Sequence, residues 1–376
     1  MAGVEQAERW SVMKKNALRV KTGKRKADMK DREVMKKTET EWETQKSDGC
    51  PEFEVRTDLA VEEQERFPGD GGEISGVSLR KWRESHSDIR MTEVKILDEH
   101  GAEIMGKPEG TYLTLEAEAL AKKDESYHEE VSAELAGYLR TLIRQMTGKR
   151  ETELKILAVG LGNQDVTPDA LGPKVLSHLQ MTRHLQGEYG NEFCKKHNLP
   201  VLSGIAPGVM AQTGMETAEI LKGIIQETKP DLLIVVDALA ARSIRRLGTT
   251  IQLTDTGIHP GSGVGNHRQS LTKESLGIPV LAVGVPTVVG AAAIVYDTVD
   301  AMTGTLKKNR ATRGLGTYVE GLDPEKQYLL IRELLAPEFG NLYVTPPDID
   351  ERIRNLSYTI SEAIHEAVFP TSEKEM

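Results

Sequence analysis

Two aspartates, Asp169 and Asp237, stand where a chain of this kind does chemistry. Each follows an apolar run. Residues 156–159 lead through Gly160 and Gly162 to Asp169, and Leu232-Leu-Ile-Val-Val236 ends directly at Asp237. In an open α/β sheet, the carboxyl ends of neighbouring strands converge on one crevice, where ligands bind. Two carboxylates brought there disfavour each other's charge, so one keeps a proton while the other ionises. Such a pair supplies a general acid and a general base together, which is the equipment of hydrolysis. The chain therefore reads first as a hydrolase.

Each aspartate also has a plain structural role open to it. Thr167 suits a helix cap, Pro168 the first helical position, and Asp169 the positive end of a helix dipole. Asp237 ends a strand apolar enough to be buried on both faces, so it must be paired, cap a loop or act on a ligand. Arg242 nearby is either a structural partner or a substrate clamp. Gly160 and Gly162 lie between strand and helix but do not form GxGxxG, so they read as residues that permit a tight turn and close backbone approach. A second glycine-rich stretch, 255–267, carries His259, Gly261, Ser262 and Gly263. Its backbone N–H groups are a candidate oxyanion or substrate nest. Ser262 lies outside the GxSxG context of a nucleophile, and Asp255, His259 and His267 match no strong metal spacing. A serine mechanism with His259 or His267 as base, a metal site with Asp255, and a loop rich in glycine simply to turn all stay open. The stretch 203–216, with Pro207-Gly208, is a candidate substrate-lining loop.

The elements that must position these residues follow from periodicity. From residue 153 the pattern alternates between strand and helix. Strands are expected over 154–159, 232–236, 250–253 and 280–285, with helices over 169–184, 216–228 and 288–302. That alternation predicts a mostly parallel sheet flanked by helices. Earlier, 94–97 and 111–115 read as additional N-terminal strands and 131–143 as a helix. Gly69-Asp-Gly-Gly72 reads as a flexible joint, and 307–313 as a polar loop. Two amphipathic helices, 325–335 and 348–368, are expected to close the chain, the last set by Pro346-Pro347. Residues 1–52 are dense in Lys, Arg and Glu with few aliphatics, which cannot offset the entropy of ordering, so they read as a mobile extension.

Composition narrows the partners. The 376 residues carry a formal net charge of −10, which argues against nucleic acid as a partner. Cys50 and Cys194 provide neither a disulfide framework nor a metal motif, consistent with a reducing cytoplasm. No apolar run approaches the ~18 residues of a membrane span, and the N-terminus lacks the apolar core of a signal peptide, so no membrane partner and a cytoplasmic location are expected.

Several stretches in order carry a resemblance. Val55-Arg-Thr-Asp-Leu-Ala-Val-Glu62, the runs 160–173, 203–216, 237–242 and 255–266, and Gly284-Val-Pro-Thr-Val-Val289 together resemble the germination proteases of spore-forming Firmicutes. The likeness runs from about Val55 to the C-terminal helix. It implies a fold like that of the hydrogenase maturation endopeptidases and an endopeptidase that initiates degradation of small acid-soluble spore proteins during germination. It also implies a homotetramer located in the forespore and spore core. The family's two catalytic aspartates fall on Asp169 and Asp237. The implied mechanism is an atypical aspartic one with no covalent intermediate, no cofactor and no metal.

The family is made as a zymogen that removes its own N-terminal segment, and its substrates are cut after an acidic residue and before a hydrophobic one followed by Ala. Thr57-Asp58-Leu59-Ala60 fits that rule, placing the expected cleavage between Asp58 and Leu59. The implied organisation is an extension and propeptide over 1–58 and a single α/β protease domain over 59–376. Within it, 59–150 is the N-terminal part, 151–305 the α/β core and 306–376 a loop with the C-terminal helices. The chain departs from the family pattern in a longer segment before Asp58, in Gln164-Asp165 where an aromatic and an amide are usual, and in Gly290 where an acid is usual. The competing readings are a metal-dependent peptidase on the same fold, a non-catalytic α/β binding module, and a nucleotide site at 160–163.

Overall fold

The computed structural model describes residues 57–65, 74–84, 88–121, 125–150, 153–197, 199–259, 268–308, 317, 331 and 342–369. Those from Thr57 onward belong to a unit spanning Val55–Met376. The expected extension over 1–52, the joint at 69–72, the helix at 325–335 apart from Ile331, and Gly261, Ser262, Gly263 and His267 lie outside the described residues. Of the expected loop at 307–313, Lys307 and Lys308 instead end a helix.

Among the described residues, nine strands form one sheet: β1 (Val77–Arg83), β2 (Arg90–Ile96), β3 (Gly110–Glu116), β4 (Lys155–Gly160), β5 (Val201–Ile205), β6 (Leu232–Ala241), β7 (Thr250–Thr254), β8 (Val280–Gly290) and β9 (Tyr343–Val344). Their order is β1-β2-β3-β7-β8-β6-β4-β5, with β9 paired to β8. The α/β core is parallel: β4 pairs β5 and β6 in parallel, and β6 pairs β8 likewise. The additional N-terminal strands β1–β3 join it antiparallel through β7, which makes the whole sheet mixed.

The longer helices are α1 (Ala60–Gln64), α2 (Glu99–Met105), α3 (Glu125–Thr147), α4 (Leu171–His178), α5 (Arg183–Lys196), α6 (Thr217–Thr228), α7 (Ala291–Lys308) and α8 (Ile349–Val368). They cover both faces of the sheet, because strand side chains alternate with period two. Ile156, Ala158, Leu232, Ile234 and Val236 face one core with α3, α4 and α8. Leu157, Val159, Leu233 and Val235 face the other core with Ala218 and Leu221 of α6. Continuous apolar runs in β4 and β6 are the signature of strands buried on both faces. Asp237 continues the parity of Leu233 and Val235 and, at 6% exposure, is buried with them.

The expected helix over 169–184 is divided. A 3-10 turn covers Thr167–Asp169, α4 follows, and Leu179 then leaves helical geometry at ψ 137°. Tertiary contacts take over at that point: Thr182 N–H donates to the Leu202 carbonyl at 2.9 Å. Both β6 and β8 also run further than expected, to Ala241 and Gly290. Among the described residues, no helix is long and apolar enough to cross a membrane.

Candidate active site

The site grows from the end of β4 and from the middle of β6, which continues past Asp237 to Ala241. The Gly160–Asp169 turn closes tightly. A side chain at Gly162 would collide with the Asp169 carbonyl oxygen, and Gly162 itself sits at φ +110°, a conformation suited to glycine. This close approach lets Asn163 N–H donate to Asp169 Oδ2 at 2.7 Å. Asp169 is thus held by the loop before it, and its carboxylate lines the crevice. Thr167 has a different task, donating its hydroxyl to Asp350 of α8 at 2.9 Å.

A cavity of about 390 Å³ opens here, lined by Asp169, Asp237 and Asp58 together with Arg268, Thr217 and Tyr343. Burial pushes the Asp237 carboxyl well above the ordinary aspartate range, and the charges of Asp169 and then Asp58 push it further. The Ala238 N–H, 2.9 Å from Asp237 Oδ1, and Arg268 act in the opposite sense. Asp169 is also raised by burial, opposed by its bond from Asn163 and by Arg268. The three aspartates singled out in the sequence therefore share one electrostatic environment.

Asp58 arrives by a different route. Strand β4 accompanies β6 only as far as the Gly160–Val236 pairing. Beyond it, the chain at Asp58 takes up the open edge. Asp58 N–H donates to the Ala240 carbonyl at 3.1 Å, and Ala240 N–H donates to Asp58 Oδ2 at 2.8 Å. Such edge pairing is how an extended peptide is commonly held by a sheet.

The residues that follow are anchored firmly. Leu59 is fully buried among Val61, Leu239, Ala241, Leu247, Val289 and Ala293. Ala60 is fully buried against Val94, Ile96, Met105 and Tyr112. Glu62 accepts N–H groups from Arg242 at 2.7 Å and Ser243 at 3.0 Å, and also accepts the Thr57 hydroxyl. The buried Arg246 guanidinium joins Glu62, Glu65 and Glu116 at 3.3, 2.6 and 2.6 Å.

Of the other residues considered in the sequence, Gly208 lines the cavity and Arg242 does not. The Arg242 guanidinium lies over the Tyr296 ring. His259 is exposed. Desolvation of its ring and the Lys107 ammonium lower its pKa, while Asp58 raises it, so it borders the same junction. Arg268, the cation of the cavity, was not legible in the sequence; it directly follows the glycine-rich stretch without a motif of its own. Among the described residues, no group of three or more His, Cys, Asp or Glu side chains is arranged to hold a metal ion.

Fold and site together define an α/β protein whose crevice lies at the strand ends and is lined by acids. A family model described as germination protease matches residues 54–316. A germination protease of Caldanaerobacter subterraneus subsp. tengcongensis is 45% identical over 328 residues, covering 86% of this chain and 97% of the relative. Germination proteases of Clostridium tetani and Bacillus subtilis are 42% and 40% identical, covering 85% and 84% of this chain and 97% and 94% of their own. Among solved structures, the [NiFe] hydrogenase maturation protease HycI from Thermococcus kodakarensis KOD1 matches 59% of this chain and 98% of its own, at 18% identity and a TM-score of 0.28. The chain belongs to the germination protease family. It is a hydrolase, an endopeptidase of spore germination.

Proposed function

We propose that this protein is a zymogen that cuts its own Asp58–Leu59 bond and, once processed, cuts small acid-soluble spore proteins by an aspartic mechanism carried by Asp169 and Asp237. The observation that carries the reading is that Asp58, Asp169 and Asp237 line one cavity. The acidic residue that precedes the bond due for hydrolysis thus lines the same cavity as the carboxylate pair, which supports the reading.

Asp169 is the general base, because the Asn163 N–H bond favours its ionised form. Asp237, buried and facing two other carboxylates, keeps the proton. Water gives a proton to Asp169 as its oxygen bonds to the Asp58 carbonyl carbon. The tetrahedral intermediate then collapses, the C–N bond to Leu59 breaks, and the leaving nitrogen takes the proton from Asp237. The pair titrates as a unit, so its pH profile belongs to both residues.

The subsites around the junction support the specificity rule. An acidic residue meets the Ala240 N–H, a hydrophobic one fills the Leu59 pocket, and alanine fits the closed site of Ala60. Burying Leu59 contributes about 2 kcal/mol to docking. Being tethered, the segment 57–65 occupies the crevice at high effective concentration and excludes substrate until it is cut. Family membership supports spore proteins as substrates. The resemblance adds a homotetramer acting in the forespore and spore core, with no cofactor.

The test is intact mass of the full-length protein held in mild acid, wild type beside Asp169→Asn and Asp237→Asn, with and without a chelator. Loss of residues 1–58 in wild type alone, insensitive to chelation, is the expected result. Processing of both variants at the wild-type rate sinks the aspartic reading, and loss of processing under chelation favours the metal-dependent one.

A further inference from the structure

The peptide bond between Asp58 and Leu59 is gripped by two side chains that the carboxylate mechanism leaves unused. Lys107 Nζ lies 3.2 Å from the Asp58 carbonyl oxygen, and Gln252 Nε2 lies 3.2 Å from the same atom. They come from separate elements. Lys107 follows the left-handed Gly106 that ends α2, with its N–H bonded back to the Ala102 carbonyl. Gln252 is buried in the middle of β7, flanked by Thr114 of β3 and Gly284 of β8.

The orientation of the Gln252 amide is determined by its partners. Ala60 N–H donates to Gln252 Oε1 at 2.8 Å. A backbone N–H can only donate and a carbonyl can only accept, so the amide oxygen faces Ala60 and the amide nitrogen faces Asp58. One planar group therefore spans the bond to be cut, from the carbonyl on one side to the second N–H on the other. Lys107 adds a cation at the carbonyl and a second bond, to the Thr57 carbonyl at 3.3 Å.

We propose that Lys107 and Gln252 are catalytic residues that stabilise the oxyanion formed at the scissile carbonyl, both in self-cleavage and on substrates in trans. The proposal rests on the reading that Asp58–Leu59 is the bond hydrolysed by the aspartate pair. When water adds, the carbonyl π pair moves onto oxygen and leaves a full negative charge there. Neither carboxylate can stabilise that charge as an anion; two donors aimed at the oxygen can, and one carries a positive charge. Donors act in this way when they sit about 2.7–3.1 Å from the developing oxyanion, slightly closer than to the neutral carbonyl oxygen here. The alternative is that both side chains only dock the propeptide, in which case they assist binding and not the chemical step.

The experiment uses the full-length chain with Lys107→Met, Lys107→Arg, Gln252→Glu and, as a reference for the aspartate reading, Asp169→Asn. First-order self-cleavage is followed by intact mass. The processed chains are then assayed for kcat and KM on a peptide copying residues 55–64. Lys107→Met is expected to lower both the self-cleavage rate and kcat about 100-fold, with little change in KM. Lys107→Arg, which keeps a cationic donor, is expected to recover about tenfold of the loss. Gln252→Glu keeps an acceptor for Ala60 N–H but loses the donor, so its kcat should fall similarly. An unchanged kcat with a raised KM overturns the proposal in favour of docking. So does a Lys107→Met variant no slower than Lys107→Arg. If Asp169→Asn cleaves as wild type, the aspartate reading itself fails; if it is inactive while Lys107→Met and Gln252→Glu cleave normally, only the oxyanion assignment fails.

Discussion

Asp58 and Ala240 are bonded in both directions, the backbone N–H of each reaching an oxygen of the other at 3.1 and 2.8 Å. Because one of those oxygens belongs to the Asp58 carboxylate, recognition of the acidic residue is built into the edge of the strand that carries Asp237. A hydrogen bond to a charged group contributes about 1.5–3 kcal/mol, equivalent to roughly 10–100-fold in rate if it is used to hold the reacting bond. Asp58→Ala should slow self-cleavage by that factor. Asp58→Asn, which keeps an oxygen but not the charge, should fall between. A mass time course decides the matter, and an alanine variant processed at the wild-type rate would show that this contact does not select the cleavage site.

Acid should favour both folding and self-cleavage. Burial raises Asp237, Asp169 and Glu62 above their ordinary values of 3.8, 3.8 and 4.5. Between the unfolded and folded pKa of such an acid, the folded state binds more protons, so stability is lost as pH rises through that window. The thermal midpoint should therefore fall from mild acid towards neutral pH. Asp237→Asn should flatten that slope and raise the midpoint near pH 7 by about 2 °C or more. Self-cleavage should be faster near pH 5 than near pH 8, because the shared proton is lost at the higher pH. Equal rates at the two would contradict the role given to Asp237.

Asp169 and Asp237 were legible because each follows an apolar run that marks a buried parallel strand, although β6 continues past Asp237 to Ala241. The paired glycine turn before Asp169 was legible for the same local reason. Lys107, Gln252 and Arg268 were not, since their place depends on where the end of α2, the middle of β7 and the segment leading into β8 meet in space. Gln252 did leave a trace: an amide inside the β-branched run 250–254 must find partners once buried. Strand β1, with Arg80, Lys81 and Arg83 among its seven residues, carries the charges of an edge strand and little apolar alternation. Strand β5 is short and contains Ser203 and Gly204, so only its pairing with β4 identifies it.

Arg246 should be the costliest residue to remove from the docking side of the junction. It is buried beside Glu62, which is itself only 2% exposed at its side chain. Deleting one member of a buried ion pair strands the other and costs about 3–5 kcal/mol. Arg246→Met should lower the urea midpoint accordingly, and adding Glu62→Gln should restore part of the loss by removing the stranded charge. Additive losses in the double variant would mean that the two residues act independently.

Gly162 tests whether the loop before Asp169 sets the position of its carboxylate. An added methyl would meet both an unfavourable φ of +110° and the Asp169 carbonyl oxygen, so that backbone must shift. Asn163 N–H grips Asp169 Oδ2 one residue further on, and the shift therefore passes to the carboxylate. A displacement of about 1 Å at a reacting group costs on the order of 100-fold in rate. Gly162→Ala should lose self-cleavage by about that factor. Gly223→Ala supplies the control, because Gly223 lies within α6 with open space where its methyl would go. That variant should gain about 0.5–1 kcal/mol of stability and process normally. If Gly162→Ala processes as fast as Gly223→Ala, the turn does not position Asp169, and the tight packing of this loop serves the fold alone.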